Sequence, residues 1–152
     1  MFRGTMQIGV ESSRSVENKR IFVVDGDEID RAVLQFMLQD ENETHDLPTL
    51  DAAFAKAREW KPDLLLLGLD VVKASGAGVL REIASSLPGA RILIVTEAAD
   101  DPLAQACLTS GAHGLLARPF RVETVRGKVD QMLGRGATDF MPATLLGSPA
   151  IQ

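Results

Sequence analysis

The chain has 152 residues, a formal charge of −5 and 45% hydrophobic content, which suits one domain with a core large enough to fold alone and offers no basic patch for nucleic acid. Its single cysteine, Cys107, excludes an internal disulfide framework and a multi-cysteine zinc site and fits a reducing, cytoplasmic setting. No run of 18 apolar residues exists to span a membrane, and the N-terminus lacks the apolar stretch of a secretory signal.

Residues 1–19 are polar and aperiodic and are expected to form a flexible leader, with the folded domain over residues 20–133 and a flexible tail over 134–152. Ile21-Phe22-Val23-Val24 predicts a strand buried on both faces, closed by Asp25-Gly26-Asp27. Ile29, Val33, Phe36 and Met37 recur at helical spacing and predict a helix with that face inward. Thr44–Leu47 is a short polar strand, suited to a sheet edge. Thr49 then caps a helix carrying Leu50, Ala53, Phe54 and Ala57 inward. Trp60, ahead of Lys61-Pro62, is expected to close that helix end against the core.

Leu64–Leu67 reads as a central strand ending at Gly68-Leu69-Asp70, followed by a Gly/Ser loop through Ser75-Gly76. A helix with Val79, Leu80 and Ile83 comes next, then the apolar strand Arg91–Val95, stopping at Thr96. Asp101-Pro102 opens a fourth helix, with proline in the first turn, where its missing N–H costs nothing. After Gly111, Leu115-Leu116-Ala117 forms the last strand, and Val122, Val125, Val129 and Met132 mark one side of the last helix. Five strands alternating with five helices predict a three-layer α/β domain, a doubly wound parallel sheet covered on both faces. Ligand chemistry in such sheets gathers beyond the carboxyl ends of the strands, here Asp25-Gly26, Gly68, Thr96 and Arg118.

Val-Val-Asp25-x-Asp27, Pro62–Leu69, Gly76, Ile-Val-Thr96, Gly111-Ala112-x-Gly114 and Arg118-Pro119-Phe120 occur in an order and spacing that resembles the bacterial response-regulator receiver family. The resemblance covers about Arg20 to Leu133. It implies a flavodoxin-like sheet of strand order 2-1-3-4-5 and a site in which an acidic pair after the first strand holds Mg²⁺. An aspartate ending the third strand takes a phosphoryl group, and a threonine and a lysine bind its oxygens. Carried over residue by residue, the first acid is Asp25 and the threonine is Thr96, but the second acid is Gly26, the acceptor is Gly68 and the lysine is Arg118, beside a retained Pro119.

Glycine has no side chain to serve as nucleophile, so conventional phosphorylation at position 68 is excluded. With two carboxylates gone, Mg²⁺ binding is expected to be weak or absent, and no metal or other cofactor is expected. Asp70 and Asp27 are the possible substitute acids. Asp27 also suits the start of a helix, where a negative charge is favoured. Arg118 is expected to pair with Asp25, with Asp70 as a further candidate partner, in a fixed ion pair replacing metal and phosphate. Thr96 is expected to satisfy its hydroxyl on neighbouring backbone, and Glu97 to lie on the surface. His45 and His113 match no metal spacing.

Residues 102–117 contain no Asp, Glu, Lys or Arg, although they span a helix and a strand. Ala104, Cys107, Leu108, His113 and Leu115 are therefore candidates for an interaction face, which the resemblance places on the fourth helix, fifth strand and fifth helix. Cys107 has an alternative reading as a small packing residue. The expected function is a phosphorylation-independent protein-binding module in signal transduction, non-enzymatic, acting on a protein partner or as a homodimer. No output domain is expected to follow, and its effect is expected to pass through protein contact. A receiver phosphorylated at a substitute acid and a small-anion sensor at the vestigial pocket are the alternatives. The segment Phe140–Leu146 is more apolar than a solubilising tail needs to be.

Overall fold

The computed structural model describes residues 19–76 and 78–134; apart from Lys19 and Gly134, the expected leader and tail lie outside the described residues. The elements in chain order are β1 (Arg20–Val24), α1 (Glu28–Leu38), β2 (Glu43–Leu47), α2 (Leu50–Ala57), β3 (Leu64–Gly68), α3 (Leu69–Ser75), α4 (Val79–Ser86), β4 (Arg91–Thr96), α5 (Pro102–Thr109), β5 (Gly114–Ala117) and α6 (Val122–Met132). The five strands form one parallel sheet in the order β2-β1-β3-β4-β5.

Strand side chains alternate between the two faces, and the core divides accordingly. Phe22, Val24, Leu65 and Leu67 pack with α2, α3, α4 and α5. Ile21, Val23, Leu64 and Leu66 pack with α1 and α6. Leu64 to Leu67 are all fully buried, as a central strand covered on both sides requires. Polar β2 lies at the expected edge, and α2 begins at Thr49, whose hydroxyl accepts from Ala52 N at 3.1 Å.

Three expectations need correction. The Gly/Ser loop after β3 contains a helix: residues 69–75 form α3, which carries Leu69 and Val72 into the core, so the described residues hold six helices. In α1 the inward stripe is Asp30, Leu34 and Leu38, whereas Ile29 and Phe36 are 73% and 72% exposed. Both stripes have helical spacing, and only the packing of α1 on β1 and β2 selects between them. Trp60 does not close on the core; it is exposed, with the Arg20 guanidinium 5.1 Å from its ring.

The two faces of α1 should respond differently to truncation. Leu34→Ala is expected to cost about 2–5 kcal/mol, and Ile29→Ala, which leaves the sheet-facing core intact, clearly less. Urea unfolding midpoints at constant slope measure both.

Candidate functional site

The carboxyl ends of β1, β3, β4 and β5 open on a cleft of about 250 Å³ whose charged lining is six acids, Asp25, Asp27, Asp30, Asp70, Glu97 and Asp101, and two cations, Lys73 and Arg118. Two of these acids complete helix starts. Asp27 is the N-cap of α1, accepting from Ile29 N at 2.8 Å and Asp30 N at 3.2 Å. Asp101 caps α5 in the same way, accepting from Leu103 N and Ala104 N.

Asp25 ends β1 and is only 3% exposed. Its Oδ1 accepts from Asp27 N at 2.9 Å, and its backbone carbonyl accepts from the Arg31 guanidinium at 2.7 Å. The floor of the cleft is set by two missing side chains. A Cβ at Gly68 would lie 2.6 Å from Asp70 Oδ1 and 2.7 Å from Asp25 Oδ2, and one at Gly26 would lie 2.7 Å from Asp70 Oδ2. Asp70, in the first turn of α3, therefore turns into the cleft, and its carboxylate occupies the space above both glycines. Asp25 and Asp70 both come within 2.7 Å of the point where a residue-68 side chain would begin. Burial raises the Asp25 carboxyl to about 6; the N–H bond from Asp27 opposes this, and the charges of Asp70, Asp30 and Asp27 add to it.

Arg118 follows β5, and its peptide bond to Pro119 is cis. Its backbone N–H donates to Thr96 O at 3.0 Å, and its guanidinium lies 5.2 Å from the Phe120 ring. The ion pair expected with Asp25 forms instead with Asp30, to which Arg118 Nη2 donates, while Nε pairs with the exposed Glu97 at 3.2 Å. Asp25 already has a backbone donor. Asp30 is buried on the inner stripe of α1, and Arg118 is the donor to its side chain among the described residues. Burial raises the Asp30 carboxyl, and the Arg118 charge offsets part of that. Sequence reasoning passed over Asp30. The available signal was an acid spaced with Leu34 and Leu38 on one helical stripe.

Thr96 is 3% exposed, with its hydroxyl closed on its own loop, donating to Ala98 O at 3.1 Å. The proposed interaction face is corrected in part. Ala104 and Cys107 are fully buried in the core, because α5 turns them toward the sheet. The burial also pushes the Cys107 thiol up. His113 accepts from Ile92 N at 2.9 Å through Nδ1, while Leu108 and Leu115 are half-buried.

The donor set does not fit the Mg²⁺ that the resemblance calls for. Positions 26 and 68 supply no oxygen side chain, and no group of three potential His, Cys, Asp or Glu ligands gathers among the described residues. The space those carboxylates would share is taken by Asp70.

Comparison with known proteins gives a consistent picture. The family model described as the response regulator receiver domain matches residues 21–130. A protein-glutamate methylesterase/protein-glutamine glutaminase of Myxococcus xanthus is 35% identical over 112 residues, covering 70% of this chain and 32% of that protein. The transcriptional regulatory protein LnrK of Bacillus subtilis is 30% identical over 109 residues, 70% of this chain and 50% of its own length. The chain thus spans half or less of these two relatives. The chemotaxis protein CheY of Halobacterium salinarum is 25% identical and is covered over 97% of its length by 76% of this chain. A response regulator structure from Thermotoga maritima superposes with a TM-score of 0.70 at 20% identity, over 78% of this chain and 99% of that one, which shows the shared fold.

The Asp25 carboxyl should titrate near 6 in an NMR pH series, well above an unfolded value near 3.8. A raised folded pKa means that the unfolded chain releases this proton first. The contribution of Asp25 to stability is therefore full below about pH 4 and falls as pH rises to about 6. Asp70→Asn, which removes a repelling charge, should move the Asp25 midpoint downward.

Proposed function

Since the chain belongs to the response-regulator receiver family, we propose that it is a phosphorylation-independent member that works as a protein-binding module in signal transduction. The observation that carries this reading is the Asp70 carboxylate lying over a glycine at the acceptor position. The neighbouring cation supports it, since Arg118 is engaged by Asp30 and Glu97 and so is not held open for a phosphoryl group. Fixed side-chain charges take the place of a switchable one. Mg²⁺ binding at such a site is weak on this account, because Asp25 keeps only Asp70 as a carboxylate companion above the glycines.

The contact face that fits this role is the outer side of α5 with β5 and α6. Gln105, Ala106, Thr109 and Ser110 are exposed there, Leu108 and Leu115 are half-buried, and residues 102–117 carry no charged side chain. Either a signalling protein or a second copy of the chain suits a surface of small, weakly polar residues. No helix among the described residues is long and apolar enough to cross a membrane.

The small-anion alternative meets a lining of six acids against two cations, which repels an anion. The substitute-acid alternative has a specific point in its favour, because Asp70 is brought to the acceptor position. Against it stands the charge the same acids would add to any incoming phosphoryl group. Asp27 is less available, since its carboxylate is committed to the start of α1. The relatives' names also mark the reach of the domain. The methylesterase matches through 32% of its length and the transcriptional regulator through 50%, so esterase activity is not carried over. The expectation of no nucleic-acid contact applies to the receiver domain alone.

Incubation with acetyl phosphate and Mg²⁺, followed by intact-mass measurement, tests this reading. The expected result is an unchanged mass and an unchanged elution volume on size exclusion. A hydroxylamine-sensitive phosphoryl adduct that is absent in Asp70→Asn would establish the substitute-acid receiver instead.

A further inference from the structure

α1 carries a second apolar stripe that faces away from the sheet. Ile29 and Phe36 are 73% and 72% exposed, Ala32 between them is exposed and Val33 is half-buried. At 3.6 residues per turn these four positions fall within an arc of about 100°. Exposed acids bracket the stripe, with Glu28 at one end and Asp40 and Glu41 at the other. Together the acids and the stripe favour an occupant that is apolar and carries no negative charge.

The last helix packs beside the C-terminal end of α1. Arg126 on α6 donates from Nε to Met37 O at 2.9 Å, and its Nη2 lies 3.6 Å from Asp40. Met37, Met132 and Leu133 pack against the same core cluster. Gly134, with φ of +72°, follows directly. In the sequence beyond it, residues 140–152 contain no Asp, Glu, Lys or Arg and include Phe140, Met141, Leu145 and Leu146.

The lengths agree. Residues 135–139 reach up to about 17 Å from Gly134, while packed helices sit about 8–10 Å apart. Ile29 and Phe36 are about 10 Å apart along the helix, and Met141 and Leu145 are at most about 14 Å apart when extended. We propose that the segment Phe140–Leu146 folds back on its own domain and covers the Ile29–Phe36 stripe of α1. The residues of that stripe are not among those that line the cleft at the strand ends.

The test compares amide NMR spectra of the full chain with those of a chain shortened to residues 1–139. Removal of the segment is expected to shift the amides of Ile29, Ala32, Val33 and Phe36 and to speed their exchange with solvent, leaving β3 amides unmoved. Leu145→Asp with Leu146→Asp in the full chain should reproduce those shifts. Changes confined to residues 130–139 would overturn the proposal. So would shifts that grow with concentration alongside a doubled mass, which would mean the segment docks on a second copy.

Discussion

A carboxylate that arrives from the wrong residue organises this domain's site. Gly68 ends β3, at the position to which the sequence resemblance carries an acceptor side chain, and Asp70 reaches back from α3 to stand over it. Space above Gly68 is bounded by Asp70 Oδ1 and by Asp25, each within 2.7 Å of where a Cβ would be. Any side chain at 68 must therefore displace both acids. Asp25 is buried and tied to the Asp27 N–H, so it yields less readily than Asp70. The emptied position is thus a filled one, and the rest of the cleft is arranged around that fact.

Charge balance follows from the same arrangement. Burial, with the repulsion between Asp25 and Asp70 adding to it, holds the Asp25 proton to about pH 6. A guanidinium placed between them would relieve that repulsion, yet Arg118 goes to Asp30. A buried carboxylate left without a donor is costly, and Asp30 has no other among the described residues, whereas Asp25 has a backbone N–H. Arg118 thereby ties the end of β5 to α1, and Glu97 joins the pair from the loop after β4. The Arg118 guanidinium thus acts as a brace between elements.

The sequence made the scaffold readable because buried parallel strands leave continuous apolar runs. Ile21–Val24, Leu64–Leu67 and Ile92–Val95 could be placed from composition alone, and their ends then located the site. Features that depend on direction were harder to see. Two stripes of α1 have helical spacing, and Leu34 with Leu38, not Ile29 with Phe36, meets the sheet. Residues 69–75 read as loop because the glycine-bounded stretch is too short for periodicity to register. Ala104 and Cys107 looked like surface in a charge-free helix, and only the roll of α5 shows them buried. The partner of Arg118 was likewise invisible: a spacing of 88 residues carries no record of which acid a flexible fork will reach.

The central claim is that Asp70 and the side chain missing at 68 compete for one volume. A double-mutant cycle measures that competition directly. Gly68→Ala is expected to destabilise the parent by about 1–3 kcal/mol through overpacking, and to cost at least ~1 kcal/mol less in an Asp70→Ala background. Equal penalties in the two backgrounds would mean that Asp70 does not occupy the acceptor position, and the account of the site would fail with it.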